Sequence, residues 1–440
     1  MHATTAMALE QARRFLELGQ LQQAKEAYLA VLLRDRYHRE GMLGLADVFV
    51  ASEDFASARI VLARAVERYP DSPVLQSALG GVLLEVNDPS GARDAFAAAL
   101  RVDPQHRKAW CGLGVVFERA GDVERADAAW REAFRNGGPA ISAYRGQGEP
   151  ARVLLLWSAV DGNVPVNPIL DDRVVQWATL FVESFETKMA LPPHDVVFNA
   201  VGNADLSTRA LDKAEQIVNA TSAPVINHPA HVRRTGRVAV AEQLRDAPGV
   251  VTPRIARMPR AELLAASNLT FPMLVRAPGF HTGEHFVRID SATRMCEGIA
   301  DLPGDELLAM EYLDTRGSDE VFRKYRVLMV DGKLYPVHLA ASRNWKVHYF
   351  SADCQAAHLP EEQAFLADME AALGGDALRA LEQAANLLAL DYGGIDFAIN
   401  GAGRVVIFEA NPTMRVPKIA TGAIEAARRM IRQRMRRKIG

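Results

Sequence analysis

The stretch IDFAINGAGRVVIFEANPTM, Ile395 to Met414, decides how the second half of this 440-residue chain is interpreted. Two apolar runs flank a glycine-bearing turn, which predicts a β-hairpin. Asp396, Glu409 and Asn411 place three oxygen-bearing side chains at one end of it. Residues two apart on a strand share a face, so Glu409 lies beside Asn411, and Asp396 can reach both across the hairpin. A solvated strand end and a metal site are the two interpretations of this cluster.

The segments before the hairpin alternate between strand-like and helical patterns. Three apolar runs have strand length: RVLLLWSA (152–159), DVVFNAVG (195–202) and PVINHP (224–229). The long segment between the first two has a helical pattern, and the alternation predicts a parallel, doubly wound sheet.

The next part of the chain predicts a mixture of helices and antiparallel strands. A helix is expected around residues 237–244, and FPMLVRAPGFHTGEHFVRI (271–289) predicts strand, glycine turn and strand. LLAMEYLD (307–314) predicts a further strand, and Asp331-Gly332 predicts a hairpin turn between two alternating runs. ALRALEQAANLLAL (377–390) predicts an amphipathic helix that leads into the final hairpin.

Residues 151 to about 420 resemble the ATP-grasp superfamily in the order of these segments and in the final Asp396…Glu409-x-Asn411 pattern. The resemblance implies a small α/β pre-domain, followed by an α+β domain that holds ATP between two lobes. It further implies that Asp396, Glu409 and Asn411 bind Mg²⁺, with Mn²⁺ as the other metal the site would accept. Mg²⁺ takes oxygen ligands and is usually shared between carboxylates and nucleotide phosphates, which agrees with these residue types.

The same resemblance implies nucleotide contacts elsewhere. Arg276, in MLVRAP, lies where the family places a phosphate-binding lysine, and Arg keeps the charge but changes its geometry. Arg237 matches a second phosphate-binding position of the family. The alternative, to which we give equal weight, is that Arg237 is an ordinary arginine on the surface of a helix. The turn from Gly279 to Gly283 would be a flap over the phosphates. The residues that would contact adenine and ribose are Glu311, Tyr312 and Leu313.

The resemblance also implies catalytic roles for Arg326 and Arg343, which would hold the γ-phosphate and an acyl-phosphate. An arginine in a central strand is costly to bury unless it meets an anion. The polar-aromatic loop that follows Arg343 would contact substrate, through Trp345, Lys346 and His348.

The N-terminal part of the chain, up to position 140, contains an internal repeat with a period of 34. The repeated positions are Ala24, Ala58, Ala92 and Ala126, each followed four positions later by Tyr28, Leu62, Phe96 and Trp130. Trp110-x-x-Leu113-Gly114-x-x-Phe117 matches the opening of the tetratricopeptide repeat, so this stretch resembles four tandem tetratricopeptide repeats. The resemblance implies a solenoid of stacked helical pairs that binds a peptide or a protein. Docking on the rest of the chain, or dimerisation, is the alternative.

Composition narrows the classes of function. A net charge of −3 argues against a general nucleic-acid binder, and three widely spaced cysteines argue against a disulfide or zinc framework. No stretch approaches the roughly 18 apolar residues of a membrane span, so we expect a cytoplasmic protein without a membrane partner. The basic tail (421–440) predicts a terminal helix with a solvated face, and contact with RNA or anionic lipid is the alternative.

The sequence therefore predicts a multidomain protein. Residues 1–140 would be an all-α tetratricopeptide solenoid, 141–228 an α/β pre-domain and 229–440 an α+β ATP-grasp domain. The predicted activity is ATP-dependent ligation of a small carboxylate to an amine or thiol through an acyl-phosphate, releasing ADP and phosphate. Two alternatives stay open: a phosphotransferase on the same scaffold, and a repeat scaffold whose second half only senses ATP or is inactive.

Overall fold

The structure is a computed structural model that describes residues 2–135, 137–160, 162–280, 283, 285–347, 352–354, 356–414 and 421–436. The chain divides into two compact units, Met1–Gly138 and Pro139–Gly440. The division falls in the Gly/Pro-rich sequence NGGPAISAYRGQGEP (136–150), a composition that disfavours a continuing helix. The predicted further division at residue 228 stays a prediction.

The first unit consists of four consecutive helical pairs, as the repeat period predicts. The helices are α1 (His2–Glu17), α2 (Leu21–Arg34), α3 (Arg39–Ala51), α4 (Phe55–Arg68), α5 (Pro73–Glu85), α6 (Pro89–Val102), α7 (Arg107–Arg119) and α8 (Val123–Phe134). Asp54, Asp88 and Asp122 recur with the same period and begin the second helices of three pairs. Each accepts a hydrogen bond from the backbone N–H three residues later, at 3.0, 2.9 and 3.1 Å.

Close approach between helices explains the small residues of the repeat. Trp130 is 2% exposed and packs against Gly114, where an added Cβ would lie 2.6 Å from the indole ring. That contact lies within one pair, whereas Tyr28 of α2 packs on Gly44 of α3, in the next pair, with a corresponding distance of 2.2 Å. Each pair therefore presents an apolar face that only its neighbour covers, and the pairs stack into a solenoid.

The second unit begins with a five-stranded sheet in the order β1-β3-β2-β4-β5. Its elements are β1 (Ala140–Ile141), β2 (Ala151–Trp157), β3 (Val175–Phe181), β4 (Val196–Asn199), α9 (Thr208–Asn219) and β5 (Val225–Ile226). All pairs are parallel except the edge pair of β1 and β3. The sheet agrees with the predicted parallel order.

One prediction for this sheet was wrong. The segment between β2 and β4 was expected to be helical, but it forms strand β3 and a single 3₁₀ turn (Val182–Ser184). Pro165 and Pro168 disfavour a helix early in this segment. The later residues, VQWATLF, are rich in β-branched and aromatic side chains that suit a central strand.

A four-stranded antiparallel sheet follows, in the order β7-β10-β8-β9. The elements of this part are α10 (Pro229–Val232), α11 (Arg237–Gln243), β6 (Val250–Val251), β7 (Ile255–Pro259), α12 (Arg260–Ala265), β8 (Met273–Arg276), β9 (Phe286–Ile289), α13 (Met295–Ile299) and β10 (Glu306–Glu311). Strands β8 and β9 are joined by the predicted glycine turn. Gly279 and Gly283 both adopt positive φ there, at 83° and 81°.

The third sheet has the order β12-β11-β13-β14-β6. Its remaining elements are β11 (Phe322–Val330), β12 (Lys333–Ser342), α14 (Leu359–Ala367), α15 (Met369–Leu373), α16 (Gly375–Leu388), β13 (Tyr392–Ile399), β14 (Val405–Asn411) and α17 (Thr421–Arg436). Both predicted hairpins are present, and Asp331 and Gly332 have the positive φ values of a tight hairpin turn. No helix among the described residues is long and apolar enough to cross a membrane.

The first and third sheets are joined by a buried asparagine. Asn227 follows β5, donates from its side chain to the carbonyl of Tyr392 at 2.8 Å and accepts from the Tyr392 N–H at 2.9 Å. Its own N–H donates to Asp391 at 2.8 Å. Helix α17 adds an apolar contact, because its buried stripe packs in one cluster with residues of β2, β4 and β11. The stripe consists of Ala423, Ala426, Ala427, Met430, Ile431 and Met435.

Candidate functional site

Charged side chains from three neighbouring strands form a row across the third sheet. Arg326 on β11 lies directly opposite Asp396 on β13, and Asp396 lies opposite Glu409 on β14. Directly opposed residues point to one face of a sheet, and the alternation along each strand adds Lys324 and Asn411 to that face. We call these five residues the charge row.

Asp396 is almost fully buried, at 3% exposure, and both of its oxygens meet cations. Arg326 donates from Nε to Oδ1 at 2.6 Å and from Nη2 to Oδ2 at 2.8 Å, and Lys324 Nζ lies 3.2 Å from Oδ2. Burial alone would raise the pKa of Asp396, but the charges of Lys324 and Arg326 hold that pKa far below its usual range. The carboxylate is therefore ionised near neutral pH.

Glu409 and Asn411 complete the predicted metal-ligand set. Arg237, the first residue of α11, places Nη2 2.9 Å from Glu409 Oε1, and Asn411 Nδ2 donates to the same oxygen at 2.8 Å. The Oδ1 atom of Asn411 accepts from the backbone and side chain of Thr413, at 2.9 and 2.8 Å. The structure therefore brings Asp396, Glu409 and Asn411 onto one face, as predicted, together with Arg237 and Arg326.

Arg276, at the end of β8, is a buried cation with 5% exposure. Its guanidinium donates to the carbonyl of Phe280 and lies 5.1 Å from the ring centre of Phe286. Among the described residues, no carboxylate forms an ion pair with it. Burial, followed by the charge of Arg237, lowers the pKa of Arg276 to about 10, which leaves it protonated at neutral pH. Glu409 is close enough to oppose that shift.

The predicted substrate loop packs on the other side of Phe286. The ring of Trp345 lies 5.1 Å from that of Phe286, and Lys346 Nζ donates to the Phe286 carbonyl at 3.4 Å. Lys346 also lies against Gly283, where an added Cβ would be 2.6 Å from its Cε atom. Arg343 is exposed, and its backbone N–H donates to Asp353 at 2.9 Å. His348 lies outside the described residues.

The predicted adenine and ribose residues lie apart from the charge row. Glu311 is paired with the first residue of β8, three positions from Arg276, and its carboxylate accepts from the N–H and Nε of Arg254 at 3.1 and 3.3 Å. Tyr312 lies beneath the guanidinium of Arg288, 4.4 Å from it. Leu313 is half-buried in the same segment. The hydrogen bonds and ion pairs described for these three residues do not join them to the row.

Sequence reasoning missed three residues of this region. Lys324 lies two positions before Arg326, so the strand period alone could have placed it on the same face. Asp205, after β4, accepts from the Arg237 N–H at 3.4 Å and lies 3.6 Å from the Arg257 guanidinium. Ligand-binding sites often lie at the carboxyl ends of parallel strands, so the position of Asp205 was a signal for a site residue, although not a specific one. Phe286 lies directly opposite Arg276 in the β8–β9 hairpin, so the predicted strand pair was a signal for that contact, whereas only the fold brings Phe286 to Trp345.

The charge balance and ligand types fit a magnesium–nucleotide complex. Two carboxylates and an amide share one face, and their oxygens are the ligand type that Mg²⁺ prefers. Four cations lie around the two carboxylates, an excess of positive charge that suits a polyphosphate. These are Arg237, Arg276, Lys324 and Arg326. Among the described residues there is no cluster of three or more His, Cys, Asp or Glu side chains that could hold a metal alone. Phosphate oxygens would therefore have to complete the coordination.

Comparison with known families identifies tetratricopeptide repeats in the N-terminal region. A tetratricopeptide repeat family model matches residues 9–73 and 78–148. The general transcriptional corepressor ssn6 of Schizosaccharomyces pombe is 31% identical over 114 residues, which is 26% of this chain and 10% of the corepressor. The chain thus spans about a tenth of the length of this curated relative.

Solved structures align with about a third of the chain. The MamA protein is 22% identical, with a TM-score of 0.28, over 31% of this chain and 74% of MamA. TTC0263, a tetratricopeptide protein of Thermus thermophilus, is 17% identical, with a TM-score of 0.29, over 30% of this chain and 73% of its own. The family match and the helical pairs together show that the N-terminal region consists of tetratricopeptide repeats, and a mixed α/β region follows it.

Proposed function

We propose that the second unit is an ATP-dependent ligase on an ATP-grasp scaffold, which joins a carboxylate to an amine or thiol. The observation that carries this proposal is the charge row together with Arg237 and Arg276. Asp396, Glu409 and Asn411 share a face with Lys324 and Arg326, and the two further arginines give the site an excess of positive charge. This excess is what a bound polyphosphate would neutralise.

Each residue has a role in this proposal that follows from its chemistry. Asp396, Glu409 and Asn411 would hold Mg²⁺, which supplies charge neutralisation between the β- and γ-phosphates. Arg237 and Arg276 would bind phosphate oxygens. Arg276 has no carboxylate partner among the described residues, and a buried guanidinium of this kind favours an anion strongly because little water competes for it.

The remaining cations would act on the reacting groups. Arg326 would turn from Asp396 toward the γ-phosphoryl group, and Arg343 would hold the acyl-phosphate formed on the substrate carboxylate. Attack by an amine then expels phosphate and forms the amide bond. Positioning and electrostatic stabilisation account for most of such catalysis, which suits a site rich in arginine. Trp345 and Lys346 would contact the substrate from the neighbouring loop.

The test is turnover of Mg-ATP, with ADP, AMP and free phosphate followed separately. Cell extract is divided into small-molecule and macromolecular fractions, and each is offered to the full chain. We expect ADP and phosphate in equal amounts from one fraction, and at least a roughly 100-fold lower rate for Glu409→Gln, because removal of one metal ligand and its charge weakens the site. Glu382→Gln, on the exposed face of α16, is the matched control and should keep the full rate.

Other products identify the alternatives. Phosphate that stays on the acceptor would indicate a phosphotransferase. If neither the unaltered protein nor Glu382→Gln turns over or binds ATP, the second half is inactive and the chain is a repeat scaffold.

The first unit supports a second function, the recruitment of a peptide. Between the start of α3 and the α4–α5 connection lies a cleft of about 560 Å³. Its lining includes Leu43 and Val74, and Val74 is 47% exposed. Arg39 and Arg68 also line it. We propose that this cleft binds a peptide segment in which an acidic residue adjoins a large apolar one.

The position of Arg39 supports an anionic ligand. It lies in the first turn of α3, where a cation opposes the helix dipole. Glu40, which also lines the cleft, is already paired with Arg13 at 2.6 Å. A peptide array that varies every position should show enrichment of acidic–apolar pairs for the full chain. Arg39→Gln/Arg68→Gln should abolish that enrichment while leaving ATP turnover unchanged. Equal binding of acidic and basic peptides would contradict the proposal.

A further inference from the structure

The proposed metal ligands and the proposed phosphate-binding residues are bonded to one another in this structure. Both oxygens of Asp396 accept from Arg326, at 2.6 and 2.8 Å, and Lys324 approaches one of them to 3.2 Å. The planar fork of the guanidinium matches the carboxylate, so the pair is bidentate. A metal ion that approached Asp396 would meet two cations that already occupy its binding oxygens.

One oxygen of the second carboxylate is also engaged. Glu409 Oε1 lies 2.9 Å from Arg237 Nη2 and accepts from Asn411 Nδ2 at 2.8 Å. The side-chain oxygen of Asn411 accepts two hydrogen bonds from Thr413. Asp396 Oδ2, Glu409 Oε1 and Asn411 Oδ1 thus each meet two protein donors, one for each lone pair, and must lose one of them before they can coordinate a metal.

From these contacts we infer that the arginines of the site hold divalent cations out of the nucleotide-free protein. A phosphate anion would draw Arg237 and Arg326 away from Glu409 and Asp396, and only then would the carboxylates become available. Metal and nucleotide thus bind as one coupled unit, which prevents occupation of the site by free divalent cations. This inference rests on the proposed function and describes how the same site is regulated.

The coupling is reciprocal by thermodynamic necessity. If nucleotide increases the affinity for metal, then metal increases the affinity for nucleotide by the same factor. The arginines supply that coupling because each has two alternative anionic partners, a carboxylate of the row or a phosphate. Removal of one arginine should therefore raise the affinity for metal in the absence of nucleotide, although it removes a phosphate contact.

The test measures Mn²⁺ binding to the full chain at constant pH and ionic strength, by the loss of the free-ion electron paramagnetic resonance signal. In the absence of nucleotide, Arg237→Gln should bind Mn²⁺ at least 10-fold more tightly than the unaltered protein, because Glu409 Oε1 loses the guanidinium that contacts it. Arg326→Gln should raise the affinity by a smaller factor, since Lys324 remains beside Asp396. Arg233→Gln is the matched control. Arg233 is also paired with two carboxylates, at Asp212 and Glu215, but outside the row, and its loss should leave the affinity unchanged.

The outcomes separate this inference from the proposed function. Calorimetry with AMP-PNP and Mn²⁺ reports nucleotide binding independently of turnover, and thermal unfolding confirms that each variant is folded. If AMP-PNP binds but neither arginine variant gains Mn²⁺ affinity, the inference is overturned and the ligase proposal stands. If AMP-PNP does not bind at any Mn²⁺ concentration, both are overturned. If only one variant folds, that variant alone decides between these results.

Discussion

The tetratricopeptide array and the charge row are specified by the sequence in different ways. In the array, the same local contact recurs between repeats, so Phe96 on Gly112 repeats the packing of Tyr28 on Gly44 two repeats earlier. In the charge row, Arg326 and Asp396 are 70 residues apart and their contact occurs once. Periodic packing is redundant and tolerates weak units, whereas a single long-range ion pair depends on the register of three strands. A substitution in the array should therefore destabilise the protein through the packing it removes at that position. A substitution in the charge row should destabilise it mainly by leaving the oppositely charged partner buried and unpaired.

The largest effect is expected from a core truncation in the array. Trp130→Ala should lower the free energy of unfolding of the first unit by about 3–5 kcal/mol, because it removes a buried ring and leaves a cavity beside Gly114. Urea unfolding measures this loss. The control is Leu33→Ala, since Leu33 is 88% exposed and its loss should change stability by less than about 0.5 kcal/mol. Equal losses for the two variants would show that the array is not held by this packing.

A smaller effect, of a different kind, is expected in the charge row. Arg326→Met should cost about 3 kcal/mol in metal-free buffer, because it leaves the buried Asp396 carboxylate with Lys324 alone. The double variant Arg326→Met/Asp396→Asn should recover most of that loss, because it also removes the buried negative charge of Asp396. Urea unfolding of all four proteins gives the coupling energy. Losses that simply add would show that the pair is not a unit.

The smallest effect is a pH dependence beside the row. Glu361 accepts from Arg323 at 2.7 Å and from His358 at 3.0 Å. Burial would raise the pKa of Glu361, but these two partners lower it below its usual value. The group therefore stabilises the protein above its unfolded pKa of about 4.3, and this contribution is lost as the pH falls through the folded pKa. Glu361→Gln should cost about 1 kcal/mol or less at pH 7, because the carboxylate is partly exposed.

Unfolding of Glu361→Gln at several pH values measures this dependence. The difference from the unaltered protein should shrink steadily below about pH 4, since both proteins then lack the charge. If the difference in the free energy of unfolding stays constant with pH, the loss comes from packing and not from the charge of Glu361.

The sequence predicted the two regions to different depths. The repeat period predicted the helical pairs, because each contact is repeated and local in the chain. The strand alternation and the turn residues predicted both hairpins of the third sheet, and with them the shared face of Glu409 and Asn411. The segment that forms β3 was misread, because a short apolar strand and a buried helix have similar composition.

The contacts of the site could not be predicted. No pattern indicated that Arg237 meets Glu409 or that Phe286 meets Trp345, since these pairs join residues of different sheets and of the loop after β12. The ion pairs between proposed metal ligands and proposed phosphate-binding residues were equally invisible. Sequence reasoning assigned the two groups separate partners, and the structure pairs them with each other.

The hydrogen bonds of Asn227 have a consequence for dissection of the chain. A fragment that began at residue 229 would retain every residue of the charge row but lose Asn227, so the backbone of Tyr392 would lose two buried partners next to β13. The apolar stripe of α17 would lose the strands β2 and β4 that help to cover it. Such a fragment should aggregate on expression, whereas one that begins at residue 139 retains both sheets. A fragment for crystallisation or screening should therefore begin near residue 139, about 90 residues upstream of the boundary that the sequence suggests, because Asn227 and strands β2 and β4 all lie between these two positions.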